Sequence, residues 1–109
     1  MKEISVEKVN KITGDHQDWL ISHLKNRKAA CAHLQVALEE YQQDGDREAF
    51  MLSLRNVAMA QGGISHLARE THLNRESLYR LLSGRGNPTI ETLTSILRVF
   101  GLKIKLAVA

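Results

Sequence analysis

The chain has 109 residues, 43% of them hydrophobic and 25% charged, with a formal net charge of +3. That is enough chain for one domain with a modest core. No apolar run approaches the roughly 20 residues of a membrane helix, and no signal peptide opens the sequence. A single cysteine, Cys31, excludes an internal disulfide and fits a reducing, cytoplasmic setting.

Residues 1–14 carry two conflicting patterns. Ile4 and Val6 alternate as in a strand, whereas Val9 and Ile12 sit at helical spacing, and "TGD" reads as a turn. From Asp15 the spacing predicts a helix with Trp19, Leu20 and Leu24 on one side. A second helix follows over "RKAACAHLQVALEEYQQD", with Ala30, Leu34, Ala37, Leu38 and Tyr41 on its stripe and Gly45 at its end. Asp46 is placed to cap a third helix carrying Phe50, Leu54, Val57 and Ala58, which "GG" at 62–63 stops. A short helix over 64–71 turns at "HLN" into another over 75–83, and "GRGNP" breaks the chain. Thr89 then caps a last helix with Ile90, Leu93, Ile96, Leu97 and Phe100, ended by Gly101. "LKIKLAV" alternates strictly, with Leu102, Ile104, Leu106 and Val108 on one face and Lys103 and Lys105 on the other. It predicts a strand in need of a partner.

Charge is unevenly spread. Residues 1–45 hold six Lys/Arg and seven Asp/Glu, a net of −1, and residues 46–109 hold nine and five, a net of +4. Arg69, Arg75, Arg80 and Arg85 cluster in or beside the two short helices. A local basic surface is what release of counterions from a phosphate backbone requires, although a solvated face has the same composition.

The stretch "LARETHLNRESLYRLLSGRGNP" fits the demands of a helix-turn-helix. The first helix must brace the second through a small residue, apolar anchors must hold both, and the second helix must keep a polar outer face for the major groove. With Ile64 as the first position, Leu67 packs inward and Ala68 is the small contact. Leu73, Leu78 and Leu81 fall where buried anchors are needed. His72 occupies the turn position that favours a left-handed backbone, at a cost of up to about 1–2 kcal/mol for a non-glycine residue.

Residues 46–106 resemble a Cro/C1-type (Xre, lambda-repressor-like) DNA-binding domain. The match runs through "SHLARETHLNRESLYRLLSGRGNPTIETLTSILRVFGL". Over residues 33–106 the chain is similar to addiction-module antidote proteins of the HigA-like type, with "LNRESLYRLL" as the most specific part. The first thirty residues fall outside that likeness. The resemblance implies a five-helix all-α fold, an antitoxin role beside a RelE/HigB-type ribonuclease toxin, and repression of its own operon.

Asn74 is placed to cap the second helix of the motif. Arg75, Glu76, Ser77, Tyr79 and Arg80 then form its outer face and are the candidate base readers. Arginine donates two bonds to guanine, and glutamate accepts from cytosine. Ser65, near a helix N-terminus, and Asn74, Arg85 and Asn87 are the candidate backbone contacts. Arg75 and Glu76 also read as a solvated charge pair, Tyr79 as a flank of the core, and Asn87 as a turn residue before Pro88.

Catalytic and metal chemistry find no pattern. "CAH" at 31–33 points its two ligand types to different helix faces, so Cys31 reads as a small buried residue. No nucleophile elbow and no phosphate-binding loop is present. The sequence therefore predicts an all-α protein, not an enzyme, without metal or cofactor. Residues 1–45 form a mainly helical extension for toxin or dimer contact, and residues 46–109 form the helix-turn-helix domain with a short C-terminal strand. Its expected partners are double-stranded operator DNA, a second copy and a toxin, with no membrane. The strand is the candidate dimer element, pairing with its mate or with residues 3–7. Two other readings stay open: a free-standing phage-type or metabolic repressor without a toxin, and a protein-interaction adaptor that keeps the fold without binding DNA.

Overall fold

A computed structural model describes residues 13–109. Helix α1 spans Thr13–His23, α2 Arg27–Asp44, α3 Arg47–Ala60, α4 Ile64–Thr71, α5 Arg75–Arg80 and α6 Ile90–Val99. The chain continues from α5 into a widened helical turn, Leu81–Arg85. The described residues are thus all-helical, with irregular connections. The conflicting patterns over residues 1–12 lie outside the described residues.

The caps read from the sequence explain most of the boundaries. Asp46 accepts a hydrogen bond from the Ala49 N–H at 3.1 Å, Asn74 from Ser77 at 3.0 Å, and Thr89 from Thr92 at 3.1 Å. Asn26 does the same for α2, from Ala29 at 3.0 Å. Each satisfies a backbone donor that the helix cannot, worth about 1 kcal/mol. Helix α1 begins at Thr13, inside the stretch expected to be a turn, a boundary shift of the size that fraying helix ends allow. At the other end of α2, Gly45 takes φ 70° and returns its N–H to the Tyr41 carbonyl.

One core collects residues from every helix. Leu24 from α1's exit and Ala30, Leu34 and Ala37 from α2 meet Phe50, Met51, Leu54, Val57 and Ala58 from α3. Ile64, Leu67, Ala68, Leu78, Leu82, Ile96, Leu97 and Phe100 complete it. Gln61, just past α3, donates to the carbonyls of Leu24 and Lys25 and ties α3 to the α1–α2 corner. Two expectations about α1 and α2 change. Trp19 is 58% exposed, because Leu20 and Leu24 already define the inward line of their helix and Trp19 lies about 100° round from Leu20. Cys31 is exposed, since its neighbour Ala30 takes the inward position.

The anchors under α5 also shift. Leu67, Ala68 and Leu78 are buried as expected, while Leu73 and Leu81 are only partly buried and pack at the core's margin. Leu82 is fully buried. A residue four positions after Leu78 lies about 40° from it around the helix and one three positions after lies about 60° away, so Leu82 continues the inward line more closely. Gly84 ends this helical stretch at φ 95°, against the Glu48 side chain of α3. A Cβ there would collide with Glu48, so glycine suits both the backbone conformation and the close approach.

No strand forms over residues 102–108, contrary to expectation. The Leu102 N–H reaches the Leu97 carbonyl at 2.9 Å and the Gly101 N–H reaches Arg98 at 2.9 Å, with Gly101 at φ 78°. Leu102 is thereby taken up in closing α6 in a Schellman motif and packs at the edge of the core. Beyond it, among the described residues, the backbone of 103–109 finds no pairing partner, and a lone strand is not stable. Residues 3–7, the other expected partner, lie outside the described residues.

Candidate nucleic-acid interface

Helix α4 packs against α5 and α6, and the turn Leu81–Arg85 packs against α3. Burial of Leu78 and Leu82, at roughly 1.5–3 kcal/mol each, pins the inner side of the α5 stretch to this frame. His72 makes the corner between α4 and α5 at φ 59°, the left-handed conformation expected at that position. Thr71 reinforces it, donating to the Leu67 carbonyl at 2.7 Å and accepting from the Leu73 N–H at 3.4 Å.

The outer side of α5 is then determined by exclusion. Arg75, Glu76, Ser77, Tyr79 and Arg80 are all exposed, and Leu78 alone turns inward. The Arg75 guanidinium carbon lies 5.4 Å from the centroid of the Tyr79 ring, one turn along the same helix. Asn74 is exposed at the tip, its side-chain oxygen engaged by the Ser77 N–H.

Two open depressions flank α5. One is lined by Arg55, Glu76, Tyr79, Arg80, Ser83 and Arg85, so three guanidinium groups meet a single carboxylate. Arg85 is oriented there by a 3.3 Å hydrogen bond from its Nε to Ser83 Oγ, and Ser83 in turn donates to the Arg80 carbonyl at 2.7 Å. The other is lined partly by Asn74, Ser77, Arg80, Asn87 and Thr89. Arg80 borders both.

Of the residues singled out from sequence, the structure therefore brings Glu76, Tyr79, Arg80 and Arg85 around one depression and Asn74, Ser77, Arg80 and Asn87 around the other. Arg75 joins through its stacking on Tyr79. Ser65 borders neither: it is half-buried in the first turn of α4, behind Gly63, which supplies no side-chain cap. Arg55 was missed. It is exposed on α3, outside the motif, and reaches the site only because the Leu81–Arg85 turn packs on α3. No local pattern in the sequence marks it.

Such a surface offers cations, amide and hydroxyl groups and one carboxylate on a convex helix, and has the composition for contacting phosphates and base edges. Among the described residues no group of three or more His, Cys, Asp or Glu side chains is placed to hold a metal ion. No helix among them is long and apolar enough to cross a membrane.

The described residues form a small all-helical frame with one exposed arginine-bearing helix. Residues 16–108 match the family described as "Probable addiction module antidote protein", and the chain belongs to that family. The match reaches from α1 to the C-terminal segment, wider than the 33–106 over which the sequence motifs carry the likeness. A protein of Haemophilus influenzae (strain ATCC 51907 / DSM 11121 / KW20 / Rd), described as uncharacterized, is 33% identical over 72 residues, covering 66% of this chain and 73% of that protein. No solved structure matches the chain.

Proposed function

We propose that the protein is the antitoxin of a type II toxin–antitoxin module, and that it represses its own operon by binding operator DNA as a homodimer. Membership of the antidote family supports the antitoxin half. The observation that carries the DNA-binding half is the outward face of α5. Arg75, Glu76, Ser77, Tyr79 and Arg80 are exposed on a helix capped by Asn74, with Arg55 and Arg85 beside it. In this reading α4 and α5 are the helix-turn-helix of a Cro/C1-type (Xre) domain, and α5 enters the major groove. Arg75, Glu76 and Arg80 read base edges, Ser77 and Tyr79 assist, and Ser65, Asn74, Arg85, Asn87 and Arg55 hold phosphates.

Residues 46–109 form the DNA-binding part. Residues 1–45, with their net charge of −1, contact the cognate toxin, in this reading a RelE/HigB-type ribonuclease, as the resemblance to HigA-like proteins suggests. A two-fold dimer places its recognition helices about 34 Å apart on a palindromic site.

The test is binding of the purified protein to the DNA upstream of its own gene across a salt series, wild type beside Arg80→Ala. Expected are tight, salt-sensitive binding and, in the variant, loss of about 1–3 kcal/mol of discrimination at one base pair per half-site. Absence of sequence-specific binding at every salt concentration overturns the repressor reading.

A further inference from the structure

The C-terminal segment leaves apolar side chains exposed. Leu106 is 96% exposed and Val108 101%, while Ile104, at 40%, sits at the edge of a small groove between α2 and α6 that Leu34, Leu38, Phe50 and Leu97 also line. The backbone of 103–109 pairs with nothing among the described residues.

We propose that residues 103–109 pair antiparallel with the same residues of a second copy of this chain, about a two-fold axis at Leu106. This deepens the homodimer part of the function proposed above and rests on it. Register follows from three constraints. Directly opposed residues in a sheet point to the same side, so a register that opposes even to odd positions sets the apolar face of one strand beside the lysine face of the other. Only registers joining even to even remain. Centring on Ile104 sets Lys103 against Lys105, and centring on Lys105 sets that lysine against itself; like charges directly opposed are destabilising. To pair Leu106 in the first register or Val108 in the second, Leu102 must also be a strand residue, and the closure of α6 has already used it.

Centring on Leu106 satisfies all three and pairs all seven residues, whereas centring on Ala107 pairs only 105–109 and leaves Lys103 and Ile104 outside the ribbon. Leu106 then meets its own copy, Ile104 meets Val108, Lys105 meets Ala107, and Lys103 meets Ala109. One face of the ribbon becomes continuous apolar surface about 20 Å long, and the other carries lysines opposed only by alanines. A two-stranded ribbon needs backing to be stable. The α2–α6 groove that already borders Ile104 supplies it in each copy, and the mate's Val108 opposes that residue.

Cross-linking reads the register directly. In a Cys31→Ser background, which removes the native exposed thiol, Leu106→Cys is expected to form a disulfide-linked dimer on mild oxidation, since its Cβ atoms lie about 4.5–5.5 Å apart. Val108→Cys is expected not to, because its two copies are offset by four residues, about 14 Å. An equimolar mixture of Ile104→Cys and Val108→Cys is expected to cross-link as a heterodimer. Alongside, sedimentation equilibrium should give twice the 12.3 kDa chain mass for wild type and a shift to the single-chain mass for Leu106→Asp. The near-full exposure of Leu106 leaves the fold of either variant intact, which circular dichroism checks.

Equal cross-linking at positions 106 and 108 overturns the register. A dimer undiminished in Leu106→Asp overturns strand pairing and leaves the homodimer standing on some other surface. A wild-type monomer across the whole concentration series overturns both, and is the result expected if this segment serves only a toxin. None of these outcomes bears on the Arg80 experiment, so failure here is separable from failure of DNA recognition.

Discussion

The Arg75 guanidinium stands 5.4 Å from the centre of the Tyr79 ring, one helical turn further on. An aromatic face attracts a cation, by about 0.5–1 kcal/mol at an exposed site, and stacking restricts the arginine to fewer rotamers. Under the function proposed above, Tyr79 acts as a platform that aims Arg75 before DNA arrives. Tyr79→Phe should keep operator affinity within about twofold, and Tyr79→Ala should weaken it about three- to fivefold, the equivalent of that interaction. Titration of labelled operator with both variants checks this. An equal loss in the two would assign the effect to the hydroxyl instead.

Arg55 belongs to α3, away from α5, yet it borders the depression that holds Arg80 and Arg85. Its expected target is a phosphate. Arg55→Ala should reduce affinity alike for operator and for unrelated DNA, and should lower the log–log salt slope by about 0.9, one phosphate's worth. Arg80→Ala should instead affect operator more than unrelated DNA. The two salt series separate the roles.

His72 is the one described non-glycine residue with positive φ, at 59°. An L-residue pays about 1–2 kcal/mol there, and glycine gives back about 0.4–1 kcal/mol through its freer unfolded chain. His72→Gly should therefore stabilise the protein by up to about 1 kcal/mol and raise Tm by several degrees. His72→Val, β-branched, should lower it. Thermal denaturation of the pair checks the sign.

His33 has a pKa lowered mainly by burial and secondarily by the charge of nearby His23, and its buried Nε2 finds no hydrogen-bond partner among the described residues. The folded protein thus binds this proton less readily than the unfolded chain, whose histidine titrates near 6.5. Stability is full above about pH 6.5 and falls as the pH drops through that value toward the lower folded one. Urea midpoints measured between pH 7.5 and 5 should decline for wild type, and the decline should be smaller in His33→Gln.

Much of the fold was legible because short-range chemistry decides it. Asp46, Asn74 and Thr89 announce helix starts through side chains that reach only three residues ahead, and each makes the expected bond. Gly45 and Gly101 announce ends in the same local way. Periodicity failed where several faces of a helix carry apolar residues. Trp19 and Cys31 lie beside inward positions that Leu20 and Ala30 hold, and a pattern of types does not say which neighbour wins. The alternation in "LKIKLAV" gives the faces of a strand, but strand formation requires hydrogen bonds from another segment, and Leu102 was claimed by α6.

The sequence by itself determined where most of the helices begin, which side of α5 is polar, and that a left-handed corner at His72 joins α4 to α5. Those features depend on residues a few positions apart, whose geometry the backbone sets. Tertiary structure alone decided that Leu82 anchors the helix more deeply than Leu81, and that Gly84 lies against Glu48. It also decided that Arg55 joins Arg80 and Arg85 around one depression. Packing of the Leu81–Arg85 turn on α3 brings together residues about thirty positions apart, and no local preference encodes such a meeting.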